Sequence, residues 1–255
     1  MLASARHQRI LALLRDNEVV TIAQLRDELD VTPMTVWRDL CALEELGLLR
    51  RVRGGAKELR EGGSEPDFEA KDAQSAEAKQ RIAAQAVKEF VRKGDIIALE
   101  GGTTVAALVD YLPRTKVTIV TNSLPVAQRV RALRPGLAVR VIGGWLSPVS
   151  GNTTGADALR VIKTLRASVC FLGATAFDAE AGPTDPNPME IEVKRALAAI
   201  SEKVVLLLDS KKFATSRSVA VTIHPRRLHA LVTDAPPPAE IARLLESNGV
   251  RIFRA

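Results

Sequence analysis

Six apolar runs recur between residues 95 and 234, and stretches with helical spacing separate them. The runs are DIIAL (95–99), VTIVT (117–121), LAVRVIG (137–143), ASVCFLG (167–173), KVVLLLD (203–209) and LHALVTD (228–234). Strands that alternate with helices favour a parallel sheet with helices on both faces. Because the runs are apolar throughout, we expect strands that are buried on both sides. The sequence therefore predicts an α/β domain with a mostly parallel sheet.

The chain changes character in front of this alternation. Residues 58–76, ELREGGSEPDFEAKDAQSA, combine Gly, Pro, Ser and charged residues without apolar periodicity, which is typical of a linker. The residues before them carry short helical patterns. We therefore expect a mainly α-helical first domain over residues 1–57, a linker over 58–76, and the α/β domain over 77–255.

Composition limits the class of protein to which the chain can belong. Hydrophobic residues make up 46% of the 255 residues, and the net charge is +6. No apolar run approaches the ~18 residues of a membrane span, and the start, MLASARHQRI, lacks the apolar core of a signal peptide. Two cysteines do not make a disulfide framework. We expect a cytoplasmic protein without a membrane partner, and the charge favours an anionic partner.

The first domain has the pattern of a helix-turn-helix. Thr21 and Thr32 can cap a second and a third helix, and Pro33 suits the first turn of the third. Only the residues DVT join these two helices, so the third helix can present its N-terminal residues to the major groove of DNA. Its apolar stripe faces the core and contains Val36, Leu40 and Leu43. The predicted DNA-reading residues are Thr32, Met34, Thr35, Trp37 and Arg38.

A basic segment, LLRRVRGGAK (48–57), follows the third helix. Leu48, Leu49 and Val52 can pair as short strands, with Gly54 and Gly55 at the turn. The predicted phosphate contacts on this hairpin are Arg50, Arg51 and Arg53. The alternative is a small helical dimerisation domain with a solvated basic loop.

The stretch VTPMTVWRDLCALEELGLLRRVRGGA (31–56) resembles the winged helix-turn-helix of the DeoR family of bacterial transcription regulators. That family pattern runs V-S-x-x-T-I-R-R-D-L, then L-x-x-x-G, then R-x-x-G-G-A. The chain departs from it at Trp37, where the family usually has a basic residue. Trp offers stacking and one N–H donor but no charge. The resemblance implies a transcription regulator, a repressor in our interpretation, with a double-stranded DNA operator as its partner.

The resemblance continues through the second domain. Segments such as GDIIALEGGTTVAALVDYL, TIVTNSLPVA and VIGGWLSPVSGNTTG are similar, in order, to the sensor domain of the same family. The resemblance implies a fold like that of ribose-5-phosphate isomerase and an effector that is a phosphorylated sugar or a related metabolite. Where the family commonly has LDSGTT, this chain has LEGGTT, with Glu100 for Asp and Gly101 for Ser.

The residues themselves indicate an anion site in this domain. EGGTT follows a strand and opens a helix, so glycine backbone, threonine hydroxyls and helix N–H groups are available to an anion. The next two strands end in TNS and GG, and the carboxyl ends of strands in such a sheet surround the ligand. The predicted effector-binding residues are Gly101, Gly102, Thr103, Thr104, Asn122, Ser123, Gly143, Gly144, Lys194, Asp209 and Lys212. The alternative for any single turn is a purely structural role.

An isomerase with an appended DNA-binding domain is the main rival hypothesis. By resemblance to those isomerases, GATAFD aligns with a segment that reads G-A-D-E-x-D, so Thr175 replaces an Asp while Asp178 remains. Lys194 aligns with the catalytic Glu, and a cationic lysine is a poor base near neutral pH. We expect no catalytic residue. EGGTT does not match the dinucleotide pattern G-x-G-x-x-G, and we expect no cofactor and no metal.

Two further expectations concern assembly and Cys41. A single winged helix offers little contact area, so we expect a homo-oligomer, a dimer or a tetramer, formed by the second domain. Cys41 lies in the third helix, where a redox role is conceivable, but a lone Cys is more often a small apolar residue.

Overall fold

The structure is a computed structural model. It describes the chain except for residues 1–2, 18, 46–48, 53, 59–67 and 214–219. The chain divides into two compact units, Met1–Glu65 and Pro66–Ala255. Part of the predicted linker lies outside the described residues. Another part is helical, over Phe68–Ala73, and Phe68 packs against the core of the second unit.

The first unit contains three helices and a small antiparallel sheet. Its elements in chain order are α1 (Ala3–Asp16), β1 (Val19–Thr21), α2 (Ile22–Leu29), α3 (Pro33–Glu45), β2 (Leu49–Val52) and β3 (Gly55–Glu58). The strands lie in the order β1-β3-β2. The three helices and the hairpin of β2 and β3 are as predicted, whereas β1 was not predicted.

Capping residues set the bounds of the helices in the first unit. The Thr21 hydroxyl accepts a hydrogen bond from the Gln24 amide, and the Gln24 side chain accepts one from the Thr21 amide, which is a capping box. Asp30 adopts a left-handed conformation that ends α2. The Thr32 hydroxyl accepts from the Thr35 amide at 3.2 Å. The two predicted N-terminal caps are therefore confirmed.

The second unit contains most of the chain's elements. They are α4 (Phe68–Ala73), α5 (Ala76–Phe90), β4 (Ile96–Leu99), α6 (Thr103–Ala107), β5 (Thr118–Thr121), α7 (Leu124–Leu133), β6 (Ala138–Val141), β7 (Trp145–Leu146), β8 (Thr153–Thr154), α8 (Ala156–Ile162), β9 (Ala167–Leu172), β10 (Ala176–Asp178), β11 (Gly182–Asp185), α9 (Pro188–Ala199), β12 (Ser201–Leu207), β13 (Ala220–Val221), β14 (Ala230–Thr233), α10 (Ala239–Ser247) and β15 (Arg251–Arg254).

A seven-stranded sheet organises the second unit, with the order β15-β14-β12-β9-β4-β5-β6. Every pair of neighbours in it is parallel. Six of its strands match the predicted apolar runs, and the fold class is as predicted. Two buried clusters pack against the sheet, and residues that alternate along β9 belong to one or the other: Val169 and Phe171 to the first, Cys170 and Leu172 to the second.

The side of the sheet to which the chain adds its next strand changes between β4 and β9, although all the strands are parallel. From β4 the chain first adds β5 and β6 on one side, and it then crosses to β9 and continues through β12 and β14 on the other. In an open sheet, the loops that leave the carboxyl ends of two such strands diverge and leave a crevice for a ligand. This crevice lies where Glu100 follows β4 and Gly173 follows β9.

Candidate functional site

The outward face of α3 is exposed at the predicted positions. Met34 is 60% exposed and Trp37 is 46% exposed, although both have large apolar side chains. Arg38 is exposed as well, and it has no hydrogen-bond or ion-pair partner among the described residues. Thr35 is half-buried. The opposite face packs into the core of the unit through Val36, Leu40 and Leu43, as predicted.

The two threonines at the start of α3 bind each other. The hydroxyl oxygens of Thr32 and Thr35 lie 3.0 Å apart, which is hydrogen-bond distance. Since the Thr32 hydroxyl also caps the helix, these two side chains have less capacity to contact bases than the sequence suggests. Their contribution to DNA recognition stays a prediction.

Arg51 connects the wing to α3. Its backbone N–H donates to Glu44 Oε1 at 2.9 Å, and its guanidinium forms an ion pair with the same carboxylate. The guanidinium also donates to Cys41 Sγ at 2.9 Å and lies 4.7 Å from the centre of the Trp37 ring. We predicted Arg51 as a phosphate contact, but the three contacts of its guanidinium direct the side chain toward α3. The Arg50 side chain and Arg53 lie outside the described residues.

A buried carboxylate between α1 and α3 was not predicted. Asp39 is 5% exposed and receives two hydrogen bonds from the Arg6 guanidinium, at 2.7 and 2.9 Å. His7 Nε2 lies 3.1 Å from the same carboxylate. Burial opposes ionisation of Asp39, but the hydrogen bonds from Arg6 and His7 outweigh it and lower its pKa. This cluster fixes α3 against α1.

In the second unit, a buried charged network occupies the crevice between β4 and β9. Glu100 is 1% exposed, and Lys194 Nζ lies 3.8 Å from its Oε2 atom. Lys194 Nζ donates to the Gly173 carbonyl at 3.0 Å and to Asp185 Oδ2 at 2.8 Å. Asp185 also accepts hydrogen bonds from the hydroxyls of Thr175 and Thr222, at 2.9 and 2.7 Å. Lys194 was predicted, whereas Asp185 and Thr222 were not.

Burial and neighbouring charge set the protonation of this network. Burial raises the pKa of Glu100 to about 8, and the carboxylates of Asp185 and Glu190 add to the effect, while Lys194 opposes it. Burial alone would lower the pKa of Lys194, but Asp185 and Glu100 reverse this and raise it above its usual value. The network therefore favours a cationic Lys194, and it makes the carboxyl group of Glu100 hold its proton to higher pH than it would in water.

The two glycines of the EGGTT turn have different structural roles. A side chain at Gly101 would collide with Asn152, whose amide would lie 1.8 Å from an added Cβ atom. Gly102 has a φ of 144°, which side chains disfavour, and it precedes the first residue of α6. Gly101 therefore accommodates the Asn152 side chain, and contact of either glycine with a ligand stays a prediction. Thr103 is buried and Thr104 is half-buried.

The end of β5 meets the hairpin of β7 and β8. The Asn122 amide nitrogen donates to the Thr153 carbonyl at 3.1 Å, and the Asn152 amide nitrogen donates to Glu190 Oε2 at 3.3 Å. Within the described residues, the side-chain oxygens of Asn122 and Asn152 have no hydrogen-bond partner, although both are buried. The Ser123 hydroxyl caps α7 by accepting from the Val126 amide at 3.4 Å.

The same hairpin closes over the end of β6. Thr153 Oγ1 lies 2.6 Å from the Ile142 carbonyl and 3.1 Å from that of Asn122. A side chain at Gly144 would approach the Thr154 carbonyl to 2.4 Å, while one at Gly143 would meet open space. The predicted loops after β4, β5 and β6 are therefore brought together, and the residues that join them, Asn152 to Thr154, were not predicted.

Asp209 and Lys212 follow β12. Asp209 is buried and accepts a hydrogen bond from the Lys211 amide at 3.2 Å, and the Lys212 amide donates to the Asp209 carbonyl at 3.0 Å. Burial lowers the pKa of Lys79, and the charges of Asp72 and Asp209 oppose this effect. Lys79 therefore interacts electrostatically with Asp209. No hydrogen bond or ion pair between described residues joins this group to Glu100 or Lys194.

Both units match family models. Residues 6–61 match the DeoR-like helix-turn-helix domain, and residues 74–235 match the DeoR C-terminal sensor domain. None of the helices in the described part of the chain has the length and apolar character that a bilayer crossing requires.

Individual relatives span nearly the whole chain. The HTH-type transcriptional regulator GolR of Listeria innocua is 32% identical over 230 residues, which cover 90% of this chain and 89% of that protein. The glycerol-3-phosphate regulon repressor of Escherichia coli is 29% identical and covers 99% of both chains. Among solved structures, ribose 5-phosphate isomerase A of Methanocaldococcus jannaschii is similar at a TM-score of 0.41, with 16% identity over 55% of each chain.

Proposed function

Because the chain belongs to the DeoR family of helix-turn-helix transcriptional regulators, we propose that it represses transcription from an operator that it reads through α3. We further propose that a phosphorylated sugar or a related metabolite controls this binding from the carboxyl edge of the seven-stranded sheet. The observation that carries the proposal is the outward face of α3, where Met34, Trp37 and Arg38 are exposed at the start of a capped helix.

Contacts within the first unit support the DNA-binding part. The cluster of Arg6, His7 and Asp39 holds α3 in place, and Arg51 ties the wing to the same helix. A recognition helix needs this rigidity, because base contacts depend on side chains that are held in position. In the proposed complex, Arg38 contacts base edges while Arg50 and Arg53 contact phosphates.

Buried acceptors without a partner in the described part of the chain support the effector part of the proposal. The buried oxygens of Asn122 and Asn152 suit donors such as the hydroxyls of a sugar, since a buried polar atom without a partner costs free energy. The Gly102–Thr104 turn offers backbone N–H groups and hydroxyls to a phosphate. In this proposal Gly143, Gly144, Asp209 and Lys212 also contact the effector. Lys194 influences the site through Glu100, whose Oε2 atom lies 3.8 Å from Lys194 Nζ.

Geometry does not favour the isomerase hypothesis. A general base must give up its proton near neutral pH, but Asp185 and Glu100 raise the pKa of Lys194. Relatives that span the chain are named as transcriptional regulators. The proposed partners are therefore an operator and an effector rather than a substrate. We also propose a cytoplasmic homo-oligomer, a dimer or a tetramer, because operators of this kind present repeated half-sites.

Selection of DNA tests the proposal directly. The full-length chain is incubated with random double-stranded DNA, and bound molecules are amplified and sequenced over several rounds. Enrichment of a repeated half-site, protected by the protein in a footprint, is the expected result. Footprints over one half-site by a strictly monomeric protein would contradict the oligomer, and failure to enrich any sequence would contradict the proposed function.

A further inference from the structure

The exposed face of α3 carries two large apolar side chains. Met34 and Trp37 are three residues apart, so they lie on the same side of the helix, and they are 60% and 46% exposed. Exposed side chains of this size carry a cost in water that a partner surface can remove. They lie in the N-terminal part of the helix, which is the part that a recognition helix places against base edges.

Polar groups on this face are few. The hydroxyls of Thr32 and Thr35 bind each other at 3.0 Å. Trp37 has a single N–H donor and no acceptor. Arg38 is the one described residue of the predicted reading set on this helix that carries a charge. Apart from Arg38, the described residues of this face therefore offer little capacity to read a base pair through paired hydrogen bonds.

Arg51 holds the Trp37 ring in place. Its guanidinium lies 4.7 Å from the ring centre, and the Glu44 carboxylate anchors that guanidinium. One face of the indole is therefore covered by the wing, while the rest of the ring remains available to a partner. An aromatic ring that is already ordered loses little conformational entropy when it binds.

We propose that Met34 and Trp37 read thymine in the major groove by contacting its C5-methyl group. Thymine is the base that presents an apolar group there, and apolar side chains are its natural contacts. Arg38 supplies the polar contact beside them. The inference rests on the proposed DNA-binding function and adds to it the chemical class of base that the helix prefers.

Replacement of thymine by deoxyuridine tests the inference, because this change removes one methyl group and nothing else. Each thymine of the selected operator is replaced in turn, and the affinity of the full-length protein is measured at constant salt. Loss of a buried methyl-sized apolar group is expected to weaken binding about fourfold at one or more positions of each half-site. Equal affinity for every uracil operator, with the parent operator still bound, would overturn the inference and leave the proposed function intact.

Variants then assign the effect to side chains. Trp37→Ala should bind the thymine operator and the corresponding uracil operator equally, so the fourfold ratio disappears. Met34→Gln, at the more exposed position, should abolish the ratio at a neighbouring thymine and serves as a second test if Trp37→Ala fails to fold. Trp145→Ala is the matched control, since Trp145 is 78% exposed and lies in the other unit. It should keep the ratio.

A third variant separates apolar readout from polar readout. Arg38→Ala should weaken binding to both operators while the thymine-to-uracil ratio remains. If Trp37→Ala and Met34→Gln both fold and both keep the full ratio, apolar readout by this face is wrong even though the protein binds DNA. If selection enriches no operator at all, the proposed function fails and the inference fails with it.

Discussion

At the scale of single residues, Glu100 is a group whose acid–base behaviour departs far from its behaviour in water. It lies in the crevice between β4 and β9, where burial raises its pKa to about 8. In the unfolded chain its pKa is about 4.3. Between these two values the folded protein binds a proton that the unfolded chain releases, so this residue's contribution to stability is full at low pH and falls as pH rises toward 8.

Glu100→Gln should remove this dependence on pH. Gln resembles the protonated carboxyl group in shape and cannot ionise, so the free energy of unfolding should decline less between pH 5 and 8 than it does in the parent. Urea denaturation at several pH values measures this. Glu202→Gln is the control, because Glu202 is exposed at the start of β12, and it should keep the parental decline. Identical slopes for Glu100→Gln and the parent would contradict the buried, protonated state.

Arg38 is the residue on which polar readout of the operator depends in our proposal. It is exposed on α3 and has no partner among the described residues, so its removal leaves no buried charge behind. Arg38→Ala should keep the parental melting temperature and weaken binding to the selected operator by roughly 5–150-fold, as expected for a base contact of about 1–3 kcal/mol. Unchanged affinity would exclude Arg38 from base contact.

At the scale of elements, one buried carboxylate adds to the apolar packing that holds α1 against α3. Asp39 has a lowered pKa because hydrogen bonds from Arg6 and His7 outweigh the effect of burial. A carboxylate whose folded pKa is lowered stabilises the fold above its unfolded pKa of about 3.9, and this stabilisation is lost as pH falls through the folded value.

Asp39→Asn should therefore lower the free energy of unfolding of the first unit at neutral pH. The difference in this free energy between variant and parent should become smaller as the pH falls below about 4. Trp37 fluorescence in a Trp145→Phe background reports on this unit, because the chain has two tryptophans. Asp27→Asn is the control, since Asp27 forms an exposed ion pair with Arg26 on α2 and surface pairs contribute little. Equal destabilisation of the two variants would mean that the cluster does not hold α3.

The wing allows a test of phosphate binding. Alanine at Arg50, Arg51 and Arg53 should lower affinity for all DNA sequences alike, and the slope of log K against log salt should shrink by about 0.9 for each phosphate that the variant no longer neutralises. Because Arg51 is anchored to Glu44 and Trp37, we expect it to contribute less to this slope than the other two. Alanine at three exposed arginines of the second unit, Arg131, Arg160 and Arg166, controls for net charge. A slope that stays parental in the wing variant would contradict phosphate binding by the wing.

In the second unit, the strands with a continuous apolar run could be predicted from the sequence, and the strands without one could not. The six predicted strands of the sheet are continuous apolar runs, whereas β15 reads RIFR, and β1 has only three residues. The small strands β10 and β11 form a short hairpin, and β13 pairs with β11 across a long stretch of chain. Their pairing depends on where the topology places them, and local periodicity carries no information about that.

Residues of the candidate site could be predicted where they follow a predicted strand, and could not be predicted where another segment brings them to the site. Gly102 and Asn122 adjoin predicted strands, so the rule that ligands lie at carboxyl ends could find them. Asp185, Thr222 and Asn152 reach the crevice from β11, from the segment after β13 and from the hairpin. The partners of Thr222 and Asn152 lie 37 and 38 residues away in the sequence. The side-chain oxygens of Asn122 and Asn152 have no partner among the described residues, and our proposal for ligand hydroxyls rests on them. Such atoms can be recognised only once the partners of the buried atoms are known.

For the molecule as a whole, the proposal requires that an effector in the second unit changes DNA binding by the first. A ligand shifts this equilibrium only if it binds one state of the protein better than the other. Typical coupling free energies of about 1–3 kcal/mol correspond to roughly 5–150-fold changes in affinity. Because coupling is reciprocal, the operator must change the affinity for the effector by the same factor.

Effector control is tested most sharply when both affinities are measured in one cycle. Phosphorylated sugars and glycerol 3-phosphate are first screened by thermal shift, since a ligand at 100 times its Kd stabilises the folded state by about 2.7 kcal/mol. Each hit is then titrated into the free protein and into its complex with the selected operator. We predict that one such metabolite changes operator affinity by roughly 5–150-fold, and that the operator changes its affinity by an equal factor. Hits that bind with the same affinity to the free protein and to the complex would contradict effector control of DNA binding.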